Sequence, residues 1–130
     1  MPEKCKYEQE YYDFTSGEVK TYKCEEDAVK DGYCIFHHPE YWKEHKEEVR
    51  KKFMEKVEYA INNKKPLICI GYQLPKVDLS QKTFESLVYF TKAFFHEEAE
   101  FNFAIFFSDA YFHETKFSSY ANFFGAEFYF

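Results

Sequence analysis

The chain has 130 residues, 45% hydrophobic and 23% aromatic, with 17 Lys and Arg against 23 Asp and Glu for a net charge of -6. That length holds one compact domain, or one small domain joined to a repeat. No apolar run is long enough to span a bilayer and no signal peptide opens at Met1-Pro2-Glu3-Lys4, so a cytoplasmic protein without membrane contact is expected. The acidic excess is uneven: residues 77–130 carry 3 basic and 8 acidic groups and hold nearly all of it, which argues against direct gripping of nucleic acid through phosphates.

Residues 1–38 read as a small module with almost no aliphatic side chains. Tyr11-Tyr12-Asp13-Phe14 and Val19-Lys20-Thr21-Tyr22 flank Thr15-Ser16-Gly17-Glu18, the pattern of a β-hairpin with a Gly-containing loop. The hairpin would bring Cys5 and Cys24 together, and Asp31-Gly32 then turns the chain into Cys34-Ile35-Phe36-His37-His38. So short a module cannot easily stay folded alone, and a metal would supply the missing stability. Cys5, Cys24, Cys34 and His37 make a three-thiolate, one-imidazole set of the kind that closes a zinc tetrahedron, with His38 as the substitute imidazole. The bland alternative is a set of reduced, half-buried thiols with a capping histidine. Cys69, inside Leu67-Ile68-Cys69-Ile70, reads as packing.

Residues 39–66 contain the clearest helix, from Pro39 to about Asn62. Proline suits the first turn, acids lie early and bases late, and Trp42, Val49, Phe53, Val57, Ala60 and Ile61 recur at three and four to give one apolar stripe. Glu47/Lys51 and Glu48/Lys52 are spaced to meet on the wet side. Leu67 to Leu74 reads as a buried strand leading through Gly71 and Pro75 into a repeated region.

From Val77 to Phe128 the chain repeats. Large residues fall at 79, 84, 90, 95, 101, 106, 112, 117, 123 and 128, stepping five, six, five, six, and most have a small residue two places earlier; Lys82 before Phe84 is the exception. On a helix the four special offsets of this eleven-residue unit would point to about 0°, 200°, 140° and 340°, so no face would be apolar. On extended chain, offsets 0 and 2 share a side, and each small-x-Phe triplet points two residues in and one out. The β reading holds, and repeated short strands joined by bends make a solenoid.

The run AEFNFAIFFSDAYFHETKFSSYANFFGAEF resembles the pentapeptide-repeat proteins, over residues 72–130. The resemblance implies a right-handed, four-sided (quadrilateral) β-helix, the fold class being mainly β with one helix. Since every second unit carries an extra residue, a coil would take 22 residues, with one looser corner in each half-turn. Leu79, Phe101 and Phe123 should then stack, as should Phe84/Phe106/Phe128, Phe90/Phe112 and Phe95/Phe117, beside the small columns Val77/Ala99/Ala121 and Lys82/Ala104/Ala126. Some microbial members of that family are similar at their start as well; Cys34 and His37 match them, while Cys5 and Cys24 follow only by role.

The helix and the Cys/His module should together cap the N-terminal end of the solenoid, residues 67–130. Lys82 at an inward place fits an incomplete or partly covered first coil. The resemblance also allows end-to-end pairing of two copies through the C-terminal coil. Phe94, Phe103, Phe107, Tyr111, Tyr120 and Phe124 fall at outward places and suggest a contact surface. These features point to a non-catalytic scaffold for protein–protein interaction with a structural zinc. A DNA-mimic binder of a topoisomerase, as in some members of the family, is the alternative. A zinc enzyme is a weaker reading, since the proposed ligands leave no open position and His96, Glu97, Glu98, His113 and Glu114 sit on solvated bends.

Overall fold

The computed structural model describes residues 3–129. β1 (Glu8–Asp13) and β2 (Glu18–Lys23) form the expected hairpin, paired antiparallel from Glu8↔Lys23 to Asp13↔Glu18. The Asp13 carboxylate closes the tip by accepting the backbone N–H groups of Thr15 and Ser16, and it also pairs with Lys20 at 2.7 Å.

The helical segment differs from the single helix expected between Pro39 and Asn62. It is broken at His45 (φ -133°, ψ 48°) into α1 (Tyr41–Glu44) and α2 (Lys46–Asn62). The break lets Trp42 leave the line of the stripe and stack on His96 at 4.1 Å, while Lys46 reaches Glu97 at 2.6 Å. Val49, Phe53, Val57 and Ala60 are buried as the periodicity requires. The anticipated i,i+4 ion pairs are replaced: Glu47 pairs with Arg50 at 2.6 Å, and Glu48 accepts the Tyr41 hydroxyl at 2.7 Å.

Two-residue strands then alternate with bends: β3 (Leu67–Ile68), β4 (Gln73–Leu74), β5 (Val77–Asp78), β6 (Thr83–Phe84), β7 (Val88–Tyr89), β8 (Phe94–Phe95), β9 (Ala99–Glu100), β10 (Ile105–Phe106), β11 (Ala110–Tyr111), β12 (Lys116–Phe117), β13 (Ala121–Asn122) and β14 (Glu127–Phe128). They assemble into four parallel three-stranded sheets, β3-β7-β11, β4-β8-β12, β5-β9-β13 and β6-β10-β14, the stacking of a solenoid-like β-helix. Pairs such as Val88↔Ala110, Phe95↔Phe117, Ala99↔Ala121 and Phe84↔Phe106 are 22 residues apart. Leu67↔Val88 and Leu74↔Phe95 are 21 apart, because the corner at Pro75-Lys76 lacks the extra residue found at His96-Glu97-Glu98. The first coil therefore begins at Leu67: what reads as one strand to Leu74 is two, separated by a turn.

The side chains obey this register. Ring centroids are 4.6 Å apart for Phe101/Phe123, 4.8 Å for Phe95/Phe117 and Phe106/Phe128, 5.0 Å for Phe84/Phe106 and 5.5 Å for Phe90/Phe112. Beside them Ala93, Ala99 and Ala104 are fully buried. Five-residue steps close with a turn in which residue i+3 donates to residue i, as in Ala93 N–H to Phe90 O at 2.9 Å and Ala104 N–H to Phe101 O at 3.1 Å. The third residue of each is left-handed (Gln81, Lys92, Phe103, Glu114 and Gly125, φ 54° to 68°), as a type II turn demands. Side chains at four of these places carry strain that only a well-packed interior offsets.

α2 lies against β3 and β6 at the N-terminal end, as expected. Glu58 takes the Lys82 ammonium at 2.5 Å, which satisfies the one charged residue in a small column. The hairpin, however, does not cap the end; it runs up the flank. Tyr11 meets Tyr89 edge-on at 5.6 Å, Phe14 stacks on Tyr111 at 4.8 Å, and the Tyr89 hydroxyl donates to Asp13 at 3.4 Å. Hence Tyr111, expected outward and free, is covered.

Phe101→Ala should destabilise the fold by about 3–5 kcal/mol, whereas Phe107→Ala, on the outside, should change it by no more than about 0.5 kcal/mol. Chemical denaturation of the two variants checks this, and equal losses would contradict the assignment of inside and outside.

Candidate metal centre

The hairpin delivers two of the four candidate ligands. Cys5 precedes β1 and Cys24 comes just after β2, and the pairing of the strands sets them side by side, with Cys5 N–H donating to Glu26 O at 2.7 Å and Cys24 N–H to Tyr7 O at 3.2 Å. The other two stand on one tight turn, held by the N–H groups of His37 and His38 donating to Cys34 O at 3.2 and 3.0 Å. As a result one ligand atom from each of Cys5, Cys24, Cys34 and His37 lies within 4.8 Å of every other, and all four residues are buried.

The spacing is that of a coordination shell. Bonds of about 2.3 Å from a central ion to sulfur in a tetrahedron put the sulfurs about 3.8 Å apart. Cys24 Sγ and Cys34 Sγ are 3.7 Å apart, and His37 Nδ1 is 3.3 Å from Cys34 Sγ and 3.7 Å from Cys5 Sγ. A disulfide needs about 2.05 Å, and all four cysteines of the chain are free.

Hydrogen bonding fixes which nitrogen is offered. His37 Nε2 lies 2.8 Å from the Ile70 carbonyl oxygen, which can only accept, so Nε2 donates there and Nδ1 is the nitrogen turned to the thiols. Backbone N–H groups of Glu26 and Phe36 point at the Cys24 and Cys34 sulfurs and favour their thiolate forms. Within the thiol pair, the shared hydrogen bond pulls Cys24 below the ordinary thiol range and pushes Cys34 above it. Tyr7 stacks flat on the His37 ring at 4.0 Å and Tyr72 meets it edge-on at 5.3 Å. Burial there pushes the Tyr7 phenol up to about 12. A groove of about 670 Å³ between the turn and α2 passes Cys34, yet Cys34 is 1% exposed, so the sulfur is not open to it.

His38 takes no part. Its Nε2 faces Asp31 at 2.8 Å and its Nδ1 accepts the N–H groups of Glu40 and Tyr41 at 3.1 Å, so it secures the entry to α1 instead. Cys69 sits in the column below Phe90, and its burial raises the thiol well above its ordinary range. Of the residues named for catalysis, four are structurally engaged: His96 lies between Trp42 and Phe94 with Nε2 at 2.7 Å from Gln73 Oε1, and Glu97, Glu98 and Glu114 pair with Lys46, Lys76 and Lys92, while His113 is exposed.

Sequence reasoning missed how the cluster joins the solenoid. Phe36 O accepts Gln73 N–H at 2.7 Å, in the same role that Tyr72 O plays for Phe94 N–H and Ala93 O for Lys116 N–H. Phe36 also stacks on Tyr72 at 4.5 Å. The Cys34–His37 turn is thus a further rung beneath β4, and the His37–Ile70 bond ties the candidate ligand to the same coil. Gly71 makes room for it: its φ is 71°, and a Cβ there would collide with the Tyr7 ring. No protein-family model, curated protein or solved structure matches the chain.

Cobalt(II) added to metal-free protein should bind at about one equivalent with the intense visible bands of a tetrahedral thiolate site. Cys34→Ser should abolish them and His38→Ala should leave them. Weak, octahedral-type bands would contradict the assignment. Gly71→Ala should weaken cobalt uptake although it removes no ligand.

Proposed function

We propose that this chain is a non-catalytic scaffold: a right-handed, four-sided β-helix of the pentapeptide-repeat kind, its N-terminal end fastened by a structural zinc ion and its outer faces available to a protein partner. The observation that carries this reading is the closed Cys5–Cys24–Cys34–His37 cluster, buried and walled by Tyr7 and Tyr72. Three sulfurs and one imidazole suit zinc, and four protein donors fill its tetrahedron, leaving no place for a reactive water. Such an ion would hold the hairpin base and the Cys34–His37 turn together, and through Phe36 and His37 would position the first coil. Its role is then the same as that of the aromatic columns, to fix the shape of an exterior. Among the outward aromatics of the repeat, Phe103, Phe107, Tyr120 and Phe124 remain exposed, which supports a contact role. The acids of the repeat are few and separated by rings, which fits a DNA decoy less well.

The purified chain should carry about one zinc ion, and chelation should lower its unfolding midpoint by more than about 10 °C, with recovery on adding zinc back. Falling pH should release the ion, since protons compete for the thiolates. Affinity purification of the zinc-loaded chain from its native cells should return a protein partner that Cys34→Ser fails to retain. Blocking of DNA supercoil relaxation by a topoisomerase at equimolar amounts, or zinc-dependent turnover of a substrate, would overturn the reading.

A further inference from the structure

The charges of the solenoid are unevenly neutralised. Glu97, Glu98 and Glu114 have lysine partners at 2.6, 3.5 and 3.0 Å. Asp78, Glu85, Glu100, Asp109 and Glu127 have no ion-pair partner among the described residues, and two of them, Glu85 and Glu127, lie on the side formed by β6, β10 and β14. Asp109, just before β11, turns to the hairpin's flank and accepts the Tyr111 hydroxyl at 2.7 Å. Glu127 points outward from β14, and Glu85 stands on the bend just past β6. Lys82, the basic residue nearest to that side, is held by Glu58.

The same side carries two aromatic rails. On the corner before β10 and β14, Phe103 and Phe124 meet edge-on at 5.5 Å; on the corner after them, Phe107 and Tyr129 stack at 5.3 Å. These four are 50%, 71%, 52% and 48% exposed. Ala104, Ile105 and Phe106 separate Phe103 from Phe107, so the rails flank β10, with Ile105 and Glu127 paired in register between them.

We propose that this face binds an arginine-rich segment of a partner protein. The inference rests on the scaffold reading and gives the partner its chemistry. A guanidinium lies flat on a phenyl ring while its edge pairs with a carboxylate, and both groups alternate here at side-chain reach. An ammonium is a compact, strongly hydrated charge that gains less from the rings. An apolar partner would bury Glu85 and Glu127 without a countercharge, which is unfavourable. A second copy docked by the same face would set these acids against themselves, and nucleic acid would be repelled.

The test uses the zinc-loaded full chain and dye-labelled nona-arginine and nona-lysine peptides, monitored by fluorescence anisotropy at about 150 mM salt. Nona-arginine should bind at least about tenfold more tightly than nona-lysine. Glu85→Gln with Glu127→Gln should weaken it about tenfold, and Phe107→Ser with Phe124→Ser should remove most of the preference for arginine. Removing equal charge from the hairpin, by Glu10→Gln and Glu18→Gln, should change affinity less than about twofold. All variants should keep the parent unfolding midpoint. Equal affinity for the two peptides, equal loss from hairpin and face variants, or a dimer that the face variants disperse would each overturn the proposal. None of these outcomes alters zinc content or unfolding, so the scaffold reading fails or stands separately.

Discussion

Ring-on-ring stacking between successive coils governs how every other part of this protein is arranged. Parallel strands repeat at about 4.8 Å, and parallel phenyl rings favour an offset stack at nearly the same separation. The Phe101/Phe123, Phe95/Phe117 and Phe106/Phe128 pairs satisfy both at once, with planes 4° apart. Because rings fill one inward place of each side, the other must be small, and Ala93, Ala99 and Ala104 occupy it. A slip of one residue would expose every ring. The columns therefore specify the register as well as supplying the burial, at about 1.5–3 kcal/mol for each enclosed ring.

A stack has ends, and the lower one is where the sequence becomes irregular. The first coil offers Cys69, Leu74 and Leu79 in three of the columns that hold phenyl rings above, so it lacks ring-on-ring contact there. α2 and the Cys34–His37 turn supply the contacts instead. The turn does so by imitation, since its Phe36 carbonyl accepts a strand N–H as the next coil down would. The hairpin gains its place on the flank through Tyr11, Asp13 and Phe14, while its base is gathered at the cysteines. The candidate metal centre thus sits at the junction of hairpin, turn and first coil.

The repeated part was legible because its periodicity is redundant. Each expected column recurs in two or three coils, so no single residue decides it. Where one residue does decide, sequence reasoning fell short. The shorter corner at Pro75-Lys76 shifts the first coil to a 21-residue register and disguises Leu67, Cys69, Tyr72 and Leu74 as a plain buried strand. The break at His45 has no proline or glycine to announce it, and its partners, His96 and Glu97, are about fifty residues away in sequence. Among the candidate ligands, the hairpin made Cys5 and Cys24 readable as neighbours. The choice between His37 and His38 depended on Ile70 and Asp31, which compete for the two imidazoles and have no signal in the spacing.

Under the proposed function, a metal-held turn sets the register of the first coil, and the aromatic columns build on it. Hydrogen exchange at Gln73, whose N–H is donated to Phe36 O, measures this directly when compared with Phe101, whose N–H is donated within the columns to Asn122 O. Chelation should speed exchange at Gln73 by orders of magnitude before Phe101 responds. Unchanged protection at Gln73 with and without metal would contradict a metal-held first coil.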